Sequence, residues 1–168
     1  MEKQTYPITP ILRAINTIQD ASEYIEGIEV FLANLYKTER RNILTLLQDS
    51  FPETISRDIK EYLSAKNISL TNQEEVRQGL SHLQQGIQGA PTLTLTLAFS
   101  PTRKTINTIA AWVKKEFGSD VLLDISLNQE IIAGAVIIFE GIYTDQSTKK
   151  KLDILFEARR DEITKLLQ

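Results

Sequence analysis

Residues 121–152 read VLLDISLNQEIIAGAVIIFEGIYTDQSTKKKL, and the way this stretch folds decides the class of the chain. Val121, Leu123, Ile125 and Leu127 alternate with Leu122, Asp124, Ser126 and Asn128, the period-two pattern of a half-buried strand. After a polar break at Asn128–Glu130, a second apolar run extends from Ala133 to Phe139. Within it Val136-Ile137-Ile138-Phe139 does not alternate, so both faces of this strand are expected to be covered. Glu140-Gly141 stands where a tight hairpin turn is needed, and Gly141 can take a positive φ without a Cβ clash. Ile142–Thr144 returns as a short third strand, and Asp145 or Ser147 can cap a closing helix. No residue here has the makings of a catalytic centre. The stretch reads as a packing and docking element.

Working outward toward the N-terminus, Leu93, Leu95, Leu97 and Phe99 alternate with threonines and Ala98 as a strand with one apolar face. Ser100-Pro101 is expected to cap and start a helix bearing Ile106, Ile109, Val113 and Phe117, with Gly118 at its C′ position. Past the hairpin, Leu152, Leu155, Phe156, Ile163 and Leu166 mark a last helix. The order β-α-β-β-β-α describes a small α+β domain.

Residues 1–90 have a different texture. Thr9-Pro10 opens a helix with Ile11, Ile15 and Ile18 on one face. Asp20-x-x-Glu23 resembles a capping box, followed by the stripe Tyr24, Ile28, Phe31 and Leu35. A third helix is expected from Thr38 to Asp49, with Ile43, Leu44, Leu46 and Leu47 apolar. Pro52 opens a fourth, with Ile55, Ile59, Tyr62 and Leu63. Thr71-x-x-Glu74 caps a fifth, carrying Val76, Leu80, Leu83 and Ile87. Five amphipathic helices with short links make a bundle. Gly86-Ile87-Gln88-Gly89-Ala90-Pro91 punctuates the chain, and the domain boundary is placed there, giving 1–90 and 91–168. The fold class is therefore α+β, an N-terminal helical bundle followed by a small β-α-β-β-β-α domain.

One family resemblance rests on the quoted stretch. Ala133-Gly134, an apolar strand, a turn with Gly141, then Asp145-x-Ser147 leading into a basic helix start and Leu152 resembles the C-terminal signature of the δ subunit of F-type ATP synthases, whose mitochondrial counterpart is the oligomycin-sensitivity-conferring protein. Gln146 stands where that pattern carries glycine. The resemblance extends over 94–167 and, by length and helical character only, over 1–90; the Tyr-Ala motif that opens the family's first helix is absent. It implies a helical domain, which in the family typically has six helices, and a smaller C-terminal α/β part. It further implies a non-catalytic, peripheral-stalk connector of a proton-translocating ATP synthase. In the family the helical domain grips N-terminal segments of α subunits, and the C-terminal part binds the ends of b-type stalk helices. The implied place is the cytoplasmic face of the cell membrane, with membrane association indirect, through the complex. Ala133, Gly134, Gly141, Asp145 and Ser147 are the residues the signature marks for structure or docking.

Composition agrees with a tether. The 168 residues are 42% hydrophobic and 24% charged with a net charge of −3, which argues against nucleic acid as the main partner. Residues 1–90 hold 12 acids and 9 bases, and 91–168 hold 10 of each. With no cysteine, neither a disulfide nor a thiolate metal site can form. MEKQTYPITP lacks the apolar core of a signal peptide, and no run of 18 apolar residues occurs, so a cytosolic, non-spanning chain is expected. Neither G-x-x-x-x-G-K-S/T nor G-x-G-x-x-G is present, and Gly86-x-x-Gly89 reads as a helix stop rather than a phosphate loop. His82, the single histidine, lacks partners for a zinc site or a nucleophilic triad and reads as a boundary residue. No catalytic, cofactor or metal residue is assigned.

Charge runs have two readings each. Asp20, Glu23, Glu26 and Glu29 form a solvated helix face or a contact for a basic partner. Lys149-Lys150-Lys151 with Arg159 and Arg160 is a solvated face, or docks to acidic helices or an anionic surface. Trp112 is expected to pack in the core, with a half-exposed interface anchor as the alternative. The rival functional class is a small α+β module binding a small ligand or nucleic acid, with a helical appendage.

Overall fold

The structure, a computed structural model, describes residues 9–35, 37, 42–131, 133–148 and 154. Five helices come first: α1 (Thr9–Ala14), α2 (Ile18–Leu35), α3 (Ile43–Ser50), α4 (Glu53–Ala65) and α5 (Gln73–Gln88). They are followed by β1 (Thr92–Leu97), α6 (Arg103–Glu116), β2 (Leu122–Leu127), β3 (Ala135–Phe139) and β4 (Ile142–Asp145). The mixed helix-and-sheet class and the sequence of elements agree with the pattern read from the residues. The expected closing helix, with Lys149–Lys151, Leu152, Leu155, Phe156, Arg159, Arg160, Ile163 and Leu166, lies outside the described residues. The third helix, expected from Thr38, starts instead at Ile43, because the extended Asn42 caps it by accepting from the Leu44 N–H at 3.1 Å.

The helical core is built from the stripes the spacing selects. Tyr24, Ile28, Phe31 and Leu35 of α2 are all buried, with Ile55, Ile59, Tyr62 and Leu63 of α4 and Val76, Leu80, Leu83 and Ile87 of α5. Each such side chain stabilises the fold by about 1.5–3 kcal/mol. α2 packs against α3 and α5, and α4 against α1 and α3. Gly27 lets Phe51 approach the α2 backbone, since a Cβ there would run into the Phe51 ring. Phe51 in turn stands 6.3 Å from Phe31 between ring centres.

Several helix starts differ from expectation, each because another side chain within three residues is the one positioned to cap. Thr17, not Asp20, begins α2. Its Oγ1 accepts from the Asp20 N–H at 3.0 Å, and the Asp20 carboxylate accepts from the Thr17 N–H at 3.0 Å. This is a reciprocal capping box three residues earlier than Asp20-x-x-Glu23. It also ends α1 at Ala14, so Ile18 belongs to the next helix and is exposed. Asn72 replaces Thr71 as the cap of α5 and accepts from the N–H groups of Glu74 and Glu75. Thr102 replaces Ser100 at α6, accepting from the Thr105 N–H.

The sheet has the order β2-β1-β3-β4. β1 runs parallel to β2, joined by the α6 crossover, and antiparallel to β3; β3 and β4 form the hairpin. Glu140 and Gly141 both take positive φ, 48° and 78°, between the paired residues Phe139 and Ile142. Two such residues make a hairpin turn whose twist matches the strands. Leu93, Leu95, Leu97 and Leu123 pack with Ala110 and Val113 of α6 on one face. Phe99 lies beyond the end of β1 and is exposed, so it does not continue that row. Simple alternation also fails at the start of β2, where Val121, just before the strand, and Leu122 and Leu123 within it are all buried. Leu123 belongs to the sheet core, while Leu122 joins the helical core on the opposite side.

The two halves meet at the corner between α1 and α2. Leu123 N–H donates to Asn16 O at 2.9 Å, and Thr17 pairs with Leu123 in parallel, adding a short bridge to the outer edge of β2. The Lys114 ammonium donates to the carbonyls of Leu12 (3.1 Å), Arg13 (2.7 Å) and Ile15 (2.6 Å) and to Asn16 Oδ1 (3.1 Å). Arg103 donates to Asp20 at 2.8 Å, and Asn16 Nδ2 to Asn107 Oδ1 at 3.2 Å.

Burial alone would push the Asp20 pKa up, but the hydrogen bonds from Arg103 and from the Thr17 side chain and backbone outweigh it and hold the carboxyl below its ordinary value. A lowered folded-state pKa means the unfolded chain binds the proton more readily. The stabilisation is complete above the ordinary carboxyl range and is lost as pH falls through the folded value. Asp20→Asn will therefore cost about 1–2 kcal/mol at pH 7 in urea unfolding, and the gap to the parent will close below about pH 4. Gly27→Ala will cost about 1–3 kcal/mol by overpacking against Phe51, measured the same way at pH 7.

Candidate docking surfaces

The signature residues Ala133, Gly134, Asp145 and Ser147 are brought together at one end of the β3–β4 ribbon. Thr148 N–H donates to Ala133 O at 2.7 Å and Gln146 N–H to Ala135 O at 2.9 Å, which continues the ladder past β4. Asp145 Oδ1 accepts from the Ser147 N–H at 2.7 Å, an Asx turn that bends the chain out of the strand. Gly134 has a φ of 94°, and a Cβ on it would collide with the Gln146 carbonyl oxygen and stand 3.0 Å from the Ser147 Cα. Only glycine fits there, on both conformational and steric grounds. Ser147 is buried. Gly141 is the signature residue held apart, at the far tip of the hairpin, where a Cβ would meet nothing within 4 Å.

β3 is less covered than its unbroken apolar run implies. Ile138 is 39% exposed, and none of Ala135–Phe139 is fully buried. Ala135, Ile137 and Phe139 lean on the α6 core, whereas Val136 and Ile138 share the opposite face with Thr94, Thr96, Tyr143 and Asp145 by register. Tyr143 is 61% exposed beside Ile138.

Trp112 is a surface residue rather than a core one, at 46% exposure. Its ring meets Phe117 edge-on at 5.6 Å, and Phe117 meets Phe139 edge-on at 5.1 Å. Edge-to-face contacts of this kind favour a fixed arrangement. The three rings and the exposed Ile142 form an apolar strip from α6 to the hairpin. Its outward placement follows from the opposite duties of α6: Ala110 and Val113 face the sheet, and Arg103, Asn107 and Lys114 face the α1–α2 corner.

On the helical half, a groove of about 360 Å³ between α1 and α4 is lined by Pro10, Ile11, Asp58, Glu61, Tyr62 and Lys66, among others. His82 lies beside it with Nδ1 3.4 Å from the Tyr62 hydroxyl and 3.3 Å from the Lys66 ammonium. Desolvation and the Lys66 charge lower its pKa. Burial raises that of Tyr62 to about 12. The raised value keeps the Tyr62 hydroxyl protonated near neutral pH. Glu23, Glu26 and Glu29 are exposed along α2, whereas Asp20 is engaged at the corner. Among the described residues no group of three or more His, Cys, Asp or Glu side chains could hold a metal ion, and no helix is long and apolar enough to cross a membrane.

The family model "ATP synthase delta (OSCP) subunit" matches residues 8–158 of this chain, a span that includes both the helical and the sheet-bearing half. The chain belongs to this family. Among curated relatives, ATP synthase subunit delta of Xanthomonas oryzae pv. oryzae (strain PXO99A) is 35% identical over 78 residues, 46% of this chain and 45% of the relative. ATP synthase subunit delta of Xanthomonas axonopodis pv. citri (strain 306) matches to the same extent. The aligned part thus spans about half the length of the curated relatives.

For this member of the δ/OSCP family, the two signature glycines differ in what they hold. Gly134→Ala meets backbone as well as a disfavoured φ and will lower the melting temperature by several degrees, a loss of about 2 kcal/mol or more. Gly141→Ala meets open space and will cost only about 1 kcal/mol, both read by thermal unfolding.

Proposed function

We propose that this chain is the connector of the peripheral stalk of an F-type ATP synthase, joining the catalytic head to the b-type stator helices without chemistry of its own. The observation that carries the reading is the family match over 8–158, which covers a helical bundle and a sheet-bearing part in one chain. A tether needs two gripping surfaces, and its affinity should come from apolar anchors rather than rim charges. The α1–α4 groove suits an amphipathic helix on the helical side, where the N-terminal segments of α subunits would bind. On the other half, the Trp112–Phe117–Phe139 strip and the partly open β3–β4 face offer apolar area for the ends of the stalk helices.

The functional units proposed are 1–90 and 91–168. In the second, Ala133, Gly134, Asp145 and Ser147 act by shape: their clasp fixes the direction in which the chain leaves the sheet, and Gly141 shapes the hairpin tip. The protein would work at the cytoplasmic face of the cell membrane as a peripheral component, held there through the complex. A nucleic-acid module is disfavoured because none of the four strands carries Lys or Arg, while Asp124 and Asp145 share one sheet face.

Capture, by the purified chain, of a peptide taken from the C-terminal end of a b-type stalk helix tests the reading. Binding at micromolar concentration, weakened at least about tenfold by Trp112→Ala with the fold retained, is the expected result. No binding at that concentration would count decisively against a stalk role.

A further inference from the structure

A hinge requires that two bodies be joined at one place, and among the described residues this chain joins its halves at two. The covalent link is short: α5 ends at Gln88 and β1 starts at Thr92, and Pro91 O already accepts from the Leu122 N–H at 2.9 Å as part of the sheet. The second attachment is remote in sequence. The corner Leu12–Asp20 is held from the other half by the Lys114 ammonium donating to four acceptors, by the Leu123 N–H donating to Asn16 O, by Arg103 donating to Asp20 and by Asn107 Oδ1 accepting from Asn16.

Arg103, Asn107 and Lys114 stand at i, i+4 and i+11 of α6, one side of that helix. The ammonium supplies donors to carbonyls that the end of α1 leaves without helical partners. Leu122 adds an apolar tooth, projecting from the sheet into the helical core at 2% exposure. Rotation about Gly89–Pro91 would break all of these together and strand a part-buried cation.

We infer that the α1–α2 corner is a latch, with Lys114 as its bolt, that makes the helical and sheet-bearing parts move as one rigid body. Its use in resisting torque rests on the stalk reading above; the latch itself does not.

The chain has no cysteine, so spin labels can be placed at will. Ser64→Cys on α4 and Thr144→Cys on β4, both exposed, put one label on each half. Double electron–electron resonance on the full chain is expected to give one narrow distance distribution. Lys114→Met, which keeps the stem and removes the charge, will broaden it by about twofold or more, while Lys104→Met on the exposed side of the same helix will not. Far-UV circular dichroism checks that the fold is kept. Should Lys114→Met fail to fold, Arg103→Met with Asn107→Ala removes only exposed groups of the latch and is read in the same way. A broad distribution in the parent, or a latch variant as narrow as the parent, overturns the inference. Either result leaves the peptide-capture experiment unaffected, so failure of the latch and failure of the stalk role are distinguishable.

Discussion

Backbone carbonyls at the end of a helix have to find donors, and at the end of α1 they find the ammonium of Lys114, some hundred residues later in the chain. Much else follows from that meeting. Taking an ammonium part-way out of water is costly, and burial lowers the Lys114 pKa while Asp20 acts in the opposite sense. The cost is offset because the acceptors are fixed by the helix end and need no rearrangement. Once Lys114 points at the corner, the other sides of α6 are assigned: Val113 and Ala110 onto the sheet, Trp112 and Lys115 outward.

The same corner explains the departure of β2 from simple alternation. A strand at the edge of a sheet exposes a row of unpaired backbone groups. Here Asn16 and Thr17 cover part of that edge, and the helical core comes close enough to bury Leu122. β2 is thus covered on both faces at its start and bare at its end, where Leu127 is exposed. β3 is the reverse of what its composition suggests. Its Val-Ile-Ile-Phe run reads as an interior strand, yet among the described residues Ala135, Ile137 and Phe139 pack on the α6 core while Ile138, on the other face, stays exposed.

Much of the architecture was legible because it is local. The i, i+4, i+7 spacing of Tyr24–Leu35 and Val76–Ile87, the alternation of Leu93–Leu97 and the Glu140-Gly141 turn each state their structure within a dozen residues. Caps were placed less well, since Thr17 and Asp20, Thr71 and Asn72, Ser100 and Thr102 compete within one turn, and the geometry of the chain's arrival selects among them. The surfaces were half legible. The signature residues were named by the family resemblance, but that Gly134 is packed against Gln146 and Ser147 is a fact of the folded ribbon.

By itself the sequence determined the class of fold, the family and the residue types that gather at the end of the hairpin, because periodicity, turns and motif spacing act over short distances. Only the tertiary structure decided where Trp112 faces, that Leu122 belongs to the helical core and that Lys114 closes α1. Those outcomes depend on which elements come to rest side by side. A lysine in an amphipathic helix looks the same in sequence whether it meets water or a distant row of carbonyls.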